Sequence, residues 1–325
     1  MFANPQEYLQ YLKDRYNKPI PGIRDNRFDE ITKKQWQEYV ESAKSISKIP
    51  KEVASNEVET LKDKALDISL SLQFKGILLS QRAEERKGIE RCVAIGSVDT
   101  GELNTFIAKG GVNIYCIVLN SGLMMLLHRN IKFVVASNLP QDVVYCDGQD
   151  PSQFSAHDYA LMMQEMLDIY ARTGFPRGAL IKFRAGSKGS QAAATFLNSA
   201  ESFVICHELG HLLNNDLDEE SSFLELHNDS RLMKYVEGKD HAKELKADAT
   251  GYRLLSNYLN KEHPKLDSNF SMMGIVIVMD ALASIGIEES YSHPSPKDRV
   301  INIAKSFFPD DKVKFWMDSY SRLGL

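Results

Sequence analysis

Cysteine is scarce in this 325-residue sequence, and its four residues, Cys92, Cys116, Cys146 and Cys206, lie far apart and form no Cys-x-x-Cys pair. That spacing argues against a sulfur-ligated zinc module and against a secreted disulfide framework, and it fits free thiols in a reducing, cytoplasmic compartment. A basic excess is missing as well: 39 Lys and Arg stand against 44 Asp and Glu, a net charge of −5. Without a basic stripe or a polybasic run, neither nucleic acid nor an anionic membrane surface is the expected partner. Long apolar runs are also lacking. Met1 to Lys18 holds no uninterrupted apolar stretch, and the most apolar later run, Met272 to Ile287, is short and contains Asp280. Neither a signal peptide nor a membrane span is expected. Internal repeats and low-complexity tracts are absent.

What is there is an ordinary globular composition, 43% hydrophobic and 26% charged, with length enough for one large domain or two modest ones. Asn4-Pro5 reads as an N-cap followed by proline at the first helical position, with Tyr8, Tyr11, Leu12 and Tyr16 on the stripe that follows. Helical spacing returns over Trp36 to Ile46 and over Glu52 to Glu85, so residues 1–88 are expected to be all-helical. From Cys92-Val93-Ala94-Ile95 the chain turns β-rich, through Asn104 to Ile107 and Val112 to Leu119, bounded by Gly110-Gly111 and Asn120-Ser121-Gly122. Helical periodicity resumes at Leu123–His128, His157–Tyr170, Gln191–Asn214, His241–Asn260, Phe270–Ala283 and Lys297–Phe308. Helices gathered around one short β-region predict an α+β fold. Gly186-Ser187-Lys188-Gly189-Ser190 lacks the spacing of a phosphate-binding loop and is expected to be a flexible loop.

The chemistry concentrates in His207-Glu208-Leu209-Gly210-His211. Ala200, Val204, His207 and His211 share one helical face, and histidines at i and i+4 present ring nitrogens to one point. A glutamate between them can reach the attacking water without being a ligand itself. This predicts zinc. A third histidine six residues after His211 fails, since that position is Leu217, straddled by Asp216 and Asp218, and Asn214 stands where such a motif has glycine. The better third ligand is Glu244, in Glu244-Leu245-Lys246-Ala247-Asp248. Asp248, one turn further on, would hydrogen-bond a ligand histidine and fix its tautomer. Small Ala247 and Gly251 permit close packing of the two helices. His241 and His227 are rival third ligands.

Further segments resemble the gluzincin zinc peptidases that include HtpX and the CAAX prenyl protease. Glu244-Leu245-Lys246-Ala247-Asp248-Ala249-Thr250-Gly251 is similar to that family's Glu-x-Glu-Ala-Asp-x-x-Gly, with Lys246 in place of the second glutamate. Ser292-His293-Pro294 through Arg299 is similar to its late His-Pro-x-x-x-x-Arg. Asn104-Thr105-Phe106, Gly110-Gly111 and Gly122-Leu123 resemble its Asn-Ala-Phe, Gly-Gly and Gly-Leu-Leu segment. The resemblance implies a zincin-like metallopeptidase core over residues 89–325, in which a small sheet carries the active-site helix and the glutamate helix. It also implies Zn2+ as cofactor and a protein or peptide as substrate. By the same resemblance, the strand after Gly-Gly is the edge that pairs with substrate, which assigns that role to Gly111, Val112, Asn113, Ile114 and Tyr115. His293 becomes the oxyanion donor, with Tyr252 and Tyr291 as substitutes, and Arg299 orders the helix beneath it or pairs with a carboxylate. Residues 138–190 read as an insertion with its own helix; either this insertion or the helical N-terminal region is expected to gate the cleft, opened by a substrate or an activating partner. Two other readings stay open: a dedicated regulatory zinc protease of the repressor-cleaving type, and a non-catalytic peptide-binding module on a peptidase fold.

Overall fold

The structure is a computed structural model that describes residues 2–16, 61–98, 100, 103–145, 155–173, 183–217, 239–262, 264, 269–284 and 293–323. In chain order its helices and strands are α1 (Pro5–Tyr16), α2 (Leu61–Leu79), α3 (Ala83–Cys92), β1 (Val93–Val98), β2 (Thr105–Gly111), β3 (Ile114–Asn120) and α4 (Ser121–Asn138). There follow β4 (Val143–Tyr145), α5 (Ala156–Thr173), β5 (Phe183–Ala185), α6 (Ser187–Leu213), α7 (Lys239–Glu262), α8 (Asn269–Ser284), α9 (Pro296–Phe307) and α10 (Asp310–Leu323). Helices thus surround one three-stranded sheet, an α+β arrangement. The helix expected over Trp36–Ile46 lies outside the described residues. The long N-terminal helix breaks around Ser80–Arg82 into α2 and α3, and Cys92, expected in the strand, closes α3 instead.

Local chemistry sets several of these boundaries. The Glu7 amide donates to Asn4 Oδ1 at 2.9 Å, and Glu7 reaches back to accept from the Ala3 amide at 3.0 Å, a reciprocal cap for α1. A side-chain cap also starts α9, where Ser295 Oγ accepts from the Asp298 amide at 3.1 Å and Pro296 opens the helix. The segment Gly186–Ser190, expected as a flexible loop, leads into and forms the first turn of α6. Asp142 stands at that helix start and accepts from the Gly189 amide, a cap supplied from far back in the sequence. Helix α10 goes beyond the sequence reading, although Pro309 followed by Asp310 and Asp311 is a helix-start pattern and its own Val313 and Trp316 are buried.

In the sheet the order is β1-β3-β2, with β1 parallel and β2 antiparallel to β3, and Thr105 opposite Leu119. This corrects the substrate-strand assignment. Ile114 and Tyr115 belong to the central strand, whose main chain is engaged on both sides, and Val112 and Asn113 form the hairpin tip, with Asn113 at φ 57°. Both outer strands, β1 and β2, carry an edge without a strand partner among the described residues; on β1 the Ser97 amide is taken by Asp67, whereas β2, Thr105–Gly111, is the strand that reaches Glu208 of α6. Sequence periodicity identifies strands but is blind to their lateral order, because neighbours in a sheet need not be neighbours in the chain.

One sheet face is covered by α1, through Tyr8 and Leu12 against Ala94, Ala108, Cys116 and Val118. Asp67 of α2 ties this layer together, pairing with Lys13 and accepting from the Ser97 amide at 2.7 Å. The other face, with Ile95, Ile107, Ile117 and Leu119, joins the main core formed with α2, α4, α6, α7 and α8. Helix α1 therefore lies on the sheet face away from α6; residues 17–60 of the N-terminal region expected to gate the cleft lie outside the described residues. Within the 138–190 segment, α5 buries Met163 and Met166 in the same core, so these described residues serve as core rather than as a lid. Helix α8 is buried along Ile275–Ala281, and burial pushes the Asp280 carboxyl up to about 6. No helix among the described residues is long and apolar enough to cross a membrane.

The packing that matters most for the site is α6 against α7. A Cβ on Gly210 would stand 2.5 Å from the Ala247 carbonyl oxygen, and one on Gly251 would stand 3.0 Å from the His207 amide nitrogen. Two glycines, one on each helix, let the backbones approach until His207 and His211 face Glu244 and Asp248.

Candidate metal centre

His207 and His211 lie one turn apart on α6, and their Nε2 atoms approach to 3.2 Å. Glu244 of α7 closes the group, with Oε1 3.2 Å from His211 Nε2 and Oε2 3.5 Å from His207 Nε2. One donor atom from each of the three residues lies within 4.8 Å of the others. His241, the rival on α7, is not in this group, and His227 lies outside the described residues.

The far sides of the rings explain the chemistry. His207 Nδ1 is 2.9 Å from Asp248 Oδ1, and Asp248, fully buried, is gripped by Arg299 through Nε at 2.8 Å and a terminal nitrogen at 2.7 Å. His211 Nδ1 faces Asp216 Oδ2 at 3.5 Å. When each Nδ1 carries the ring proton toward its carboxylate, both Nε2 atoms offer lone pairs to the place that Glu244 also addresses. Glu244 Oε2 is buried and accepts no hydrogen bond among the described residues, and the Arg299 guanidinium lies 3.7 Å from it. Three converging acceptors need a cation or a shared proton between them, and two imidazoles with one carboxylate form a donor set that suits zinc.

A proton competes for the same place. Burial alone would lower the basicity of His207, but Asp248 and Glu244 overcome it and hold the imidazole up at about 10. Burial likewise opposes ionisation of Glu244, and His207 and His211 reverse this, keeping its carboxyl far below the ordinary range. For Asp248 the burial effect is outweighed by Arg299 and then by His207, bringing it down to about 2. The carboxylates are ionised, and the site calls for positive charge.

Glu208, beside His207, is 5% exposed and turns toward the sheet, where Thr105 Oγ1 donates to its Oε1 at 2.8 Å. His293 has Nε2 3.7 Å from Glu244 Oε1 and a half-exposed ring at the rim. Tyr252, offered as a substitute oxyanion donor, is instead buried against Phe307, with ring centroids 4.5 Å apart, two turns along α7 from Glu244; Tyr291 lies outside the described residues.

A family model, Peptidase U49, matches residues 171–317. The matched span runs through α6, α7 and α9, and so takes in His207, Glu208, His211, Glu244, Asp248 and Arg299. Similarity to a peptidase family supports a proteolytic function. No curated protein and no solved structure matches the chain.

Sequence reasoning misses two site residues. Asp216 enters it only as a neighbour of the position where a third histidine fails. Helix α6 ends with Asn215 at φ 57° and with the Asp216 amide bonded back to the His211 carbonyl at 3.0 Å. That Schellman-type reversal returns Asp216 to the histidine the chain has just passed. An asparagine after the last helical turn is the available signal. Thr105 enters only as part of a motif, and its side chain lies 103 positions from Glu208 in the chain.

Proposed function

We propose that this protein is a zinc-dependent endopeptidase of the gluzincin type, with a zincin-like core. The observation that carries this reading is the convergence of His207, His211 and Glu244 donor atoms beside a buried glutamate that is not one of them. His207, His211 and Glu244 would hold zinc, with Asp248 and Asp216 orienting the imidazoles. Zinc, when bound, acidifies a water and polarises the scissile carbonyl. Glu208 takes the proton of the attacking water and delivers it to the leaving amine. His293 donates to the oxyanion from the rim, and Arg299 acts through Asp248. The outer edge of β2, which ends at Gly111, rather than the Val112–Tyr115 segment, offers main-chain donors and acceptors to an extended peptide.

Elemental analysis of the purified protein tests the centre. Near-stoichiometric zinc is expected in the wild type and little in His207→Ala and Glu244→Ala. Zinc retained by Glu244→Ala would move the third ligand to His241 or His227, and no zinc after reconstitution would overturn the reading in favour of a binding module. Removing an outer carboxylate should weaken rather than abolish binding: Asp216→Ala is expected to lose about 10-fold or more in zinc affinity by chelator competition. Unchanged affinity would show that Asp216 does not orient His211.

A further inference from the structure

Glu208 follows His207 by one residue, so it projects about 100° around α6 from the ligand stripe. It meets the start of β2, where Thr105 Oγ1 donates to Oε1 at 2.8 Å. Thr105 is itself held. Its backbone is in register with Leu119, and the preceding residue, Asn104, is pinned by buried Asn120, whose amide and Nδ2 both donate to the Asn104 carbonyl, at 3.3 and 2.9 Å. Thr100 Oγ1 in turn donates to Asn120 Oδ1 at 2.6 Å. A β-branched side chain on a strand fixed in this way has little χ1 freedom. Its hydroxyl therefore reaches Glu208 from a rigid support.

We propose that Thr105 is a positioning residue for the general base: it occupies Glu208 Oε1 and leaves Oε2 aimed at the attacking water. This rests on the endopeptidase reading above. A buried carboxylate on a flexible stem has other places to turn, and the nearby Arg299 guanidinium attracts it. The threonine hydroxyl suits the task because it donates to the carboxylate and can accept from the protonated acid, so the link survives the whole proton cycle. The edge strand β2 thus also sets the direction of the base.

Thr105→Val keeps the shape and the branch and removes the hydroxyl, while Thr105→Ser restores it. With fluorescein-labelled casein as the probe, Thr105→Val is expected to lose about 10-fold in kcat with KM nearly unchanged. Thr105→Ser should recover most of the loss, and zinc content should be equal in all three proteins. Acetohydroxamate binding to the zinc-loaded protein reads the same geometry without turnover: affinity should fall in Thr105→Val and return in Thr105→Ser. Wild-type kcat and hydroxamate affinity in Thr105→Val would overturn the proposal, as would a serine variant no better than valine or a loss confined to KM. A wild type that binds no zinc, or Glu208→Gln cleaving at the normal rate, would overturn the endopeptidase reading itself and this proposal with it.

Discussion

Glu208→Gln is expected to retain zinc at the wild-type stoichiometry and to lose peptide-bond cleavage by about 10³-fold or more. The substitution preserves size, and a glutamine carbonyl can still accept from Thr105. What it removes is the ability to take up a proton. Because Glu208 is not among the three converging residues, the metal-binding and proton-transfer roles should separate cleanly in this one variant. Zinc content by elemental analysis and cleavage of an unfolded protein are the two readouts. Normal cleavage would sink the mechanism, and loss of zinc along with cleavage would place Glu208 in the metal centre rather than beside it.

Local periodicity makes the core of the site legible. His207 and His211, and then Glu244 and Asp248, are pairs at i,i+4, and a helix turns each pair into a single face whatever else the chain does. The surrounding helices are legible for the same reason, from Gln191–Asn214 within α6 to Lys297–Phe308 beside α9. What stays hidden depends on non-local arrangement. Gly111–Tyr115 has the look of a substrate edge because strand content is visible in a sequence and strand order is not. Asp142, which caps α6, and Asp216, which turns back to His211, act through geometry that spacing does not encode. The segment read as an insertion carries Met163 and Met166 into the main core, and only the tertiary structure shows what an amphipathic helix packs against.

Replacing Arg299 with methionine is expected to cost about 3–5 kcal/mol of stability at neutral pH. Asp248 is fully buried, and Arg299 supplies two of its charge-assisted hydrogen bonds. Without the guanidinium, an ionised carboxylate remains inside the protein with His207 as its principal partner. The sign of the pH dependence follows. In the wild type the folded-state value for Asp248, about 2, lies below the unfolded value of about 3.9. Its contribution is therefore present above the unfolded value and lost as the pH falls toward 2. In Arg299→Met burial dominates and the folded value rises, so the deficit should be largest at neutral pH and shrink in acid, where protonation relieves the buried charge. Urea unfolding of the zinc-free proteins across this range measures it. Adding Asp248→Asn to Arg299→Met should recover part of the stability, because the double variant no longer buries an unpaired charge. A double variant whose loss equals the sum of the two single losses would show that Arg299 and Asp248 do not act as a pair.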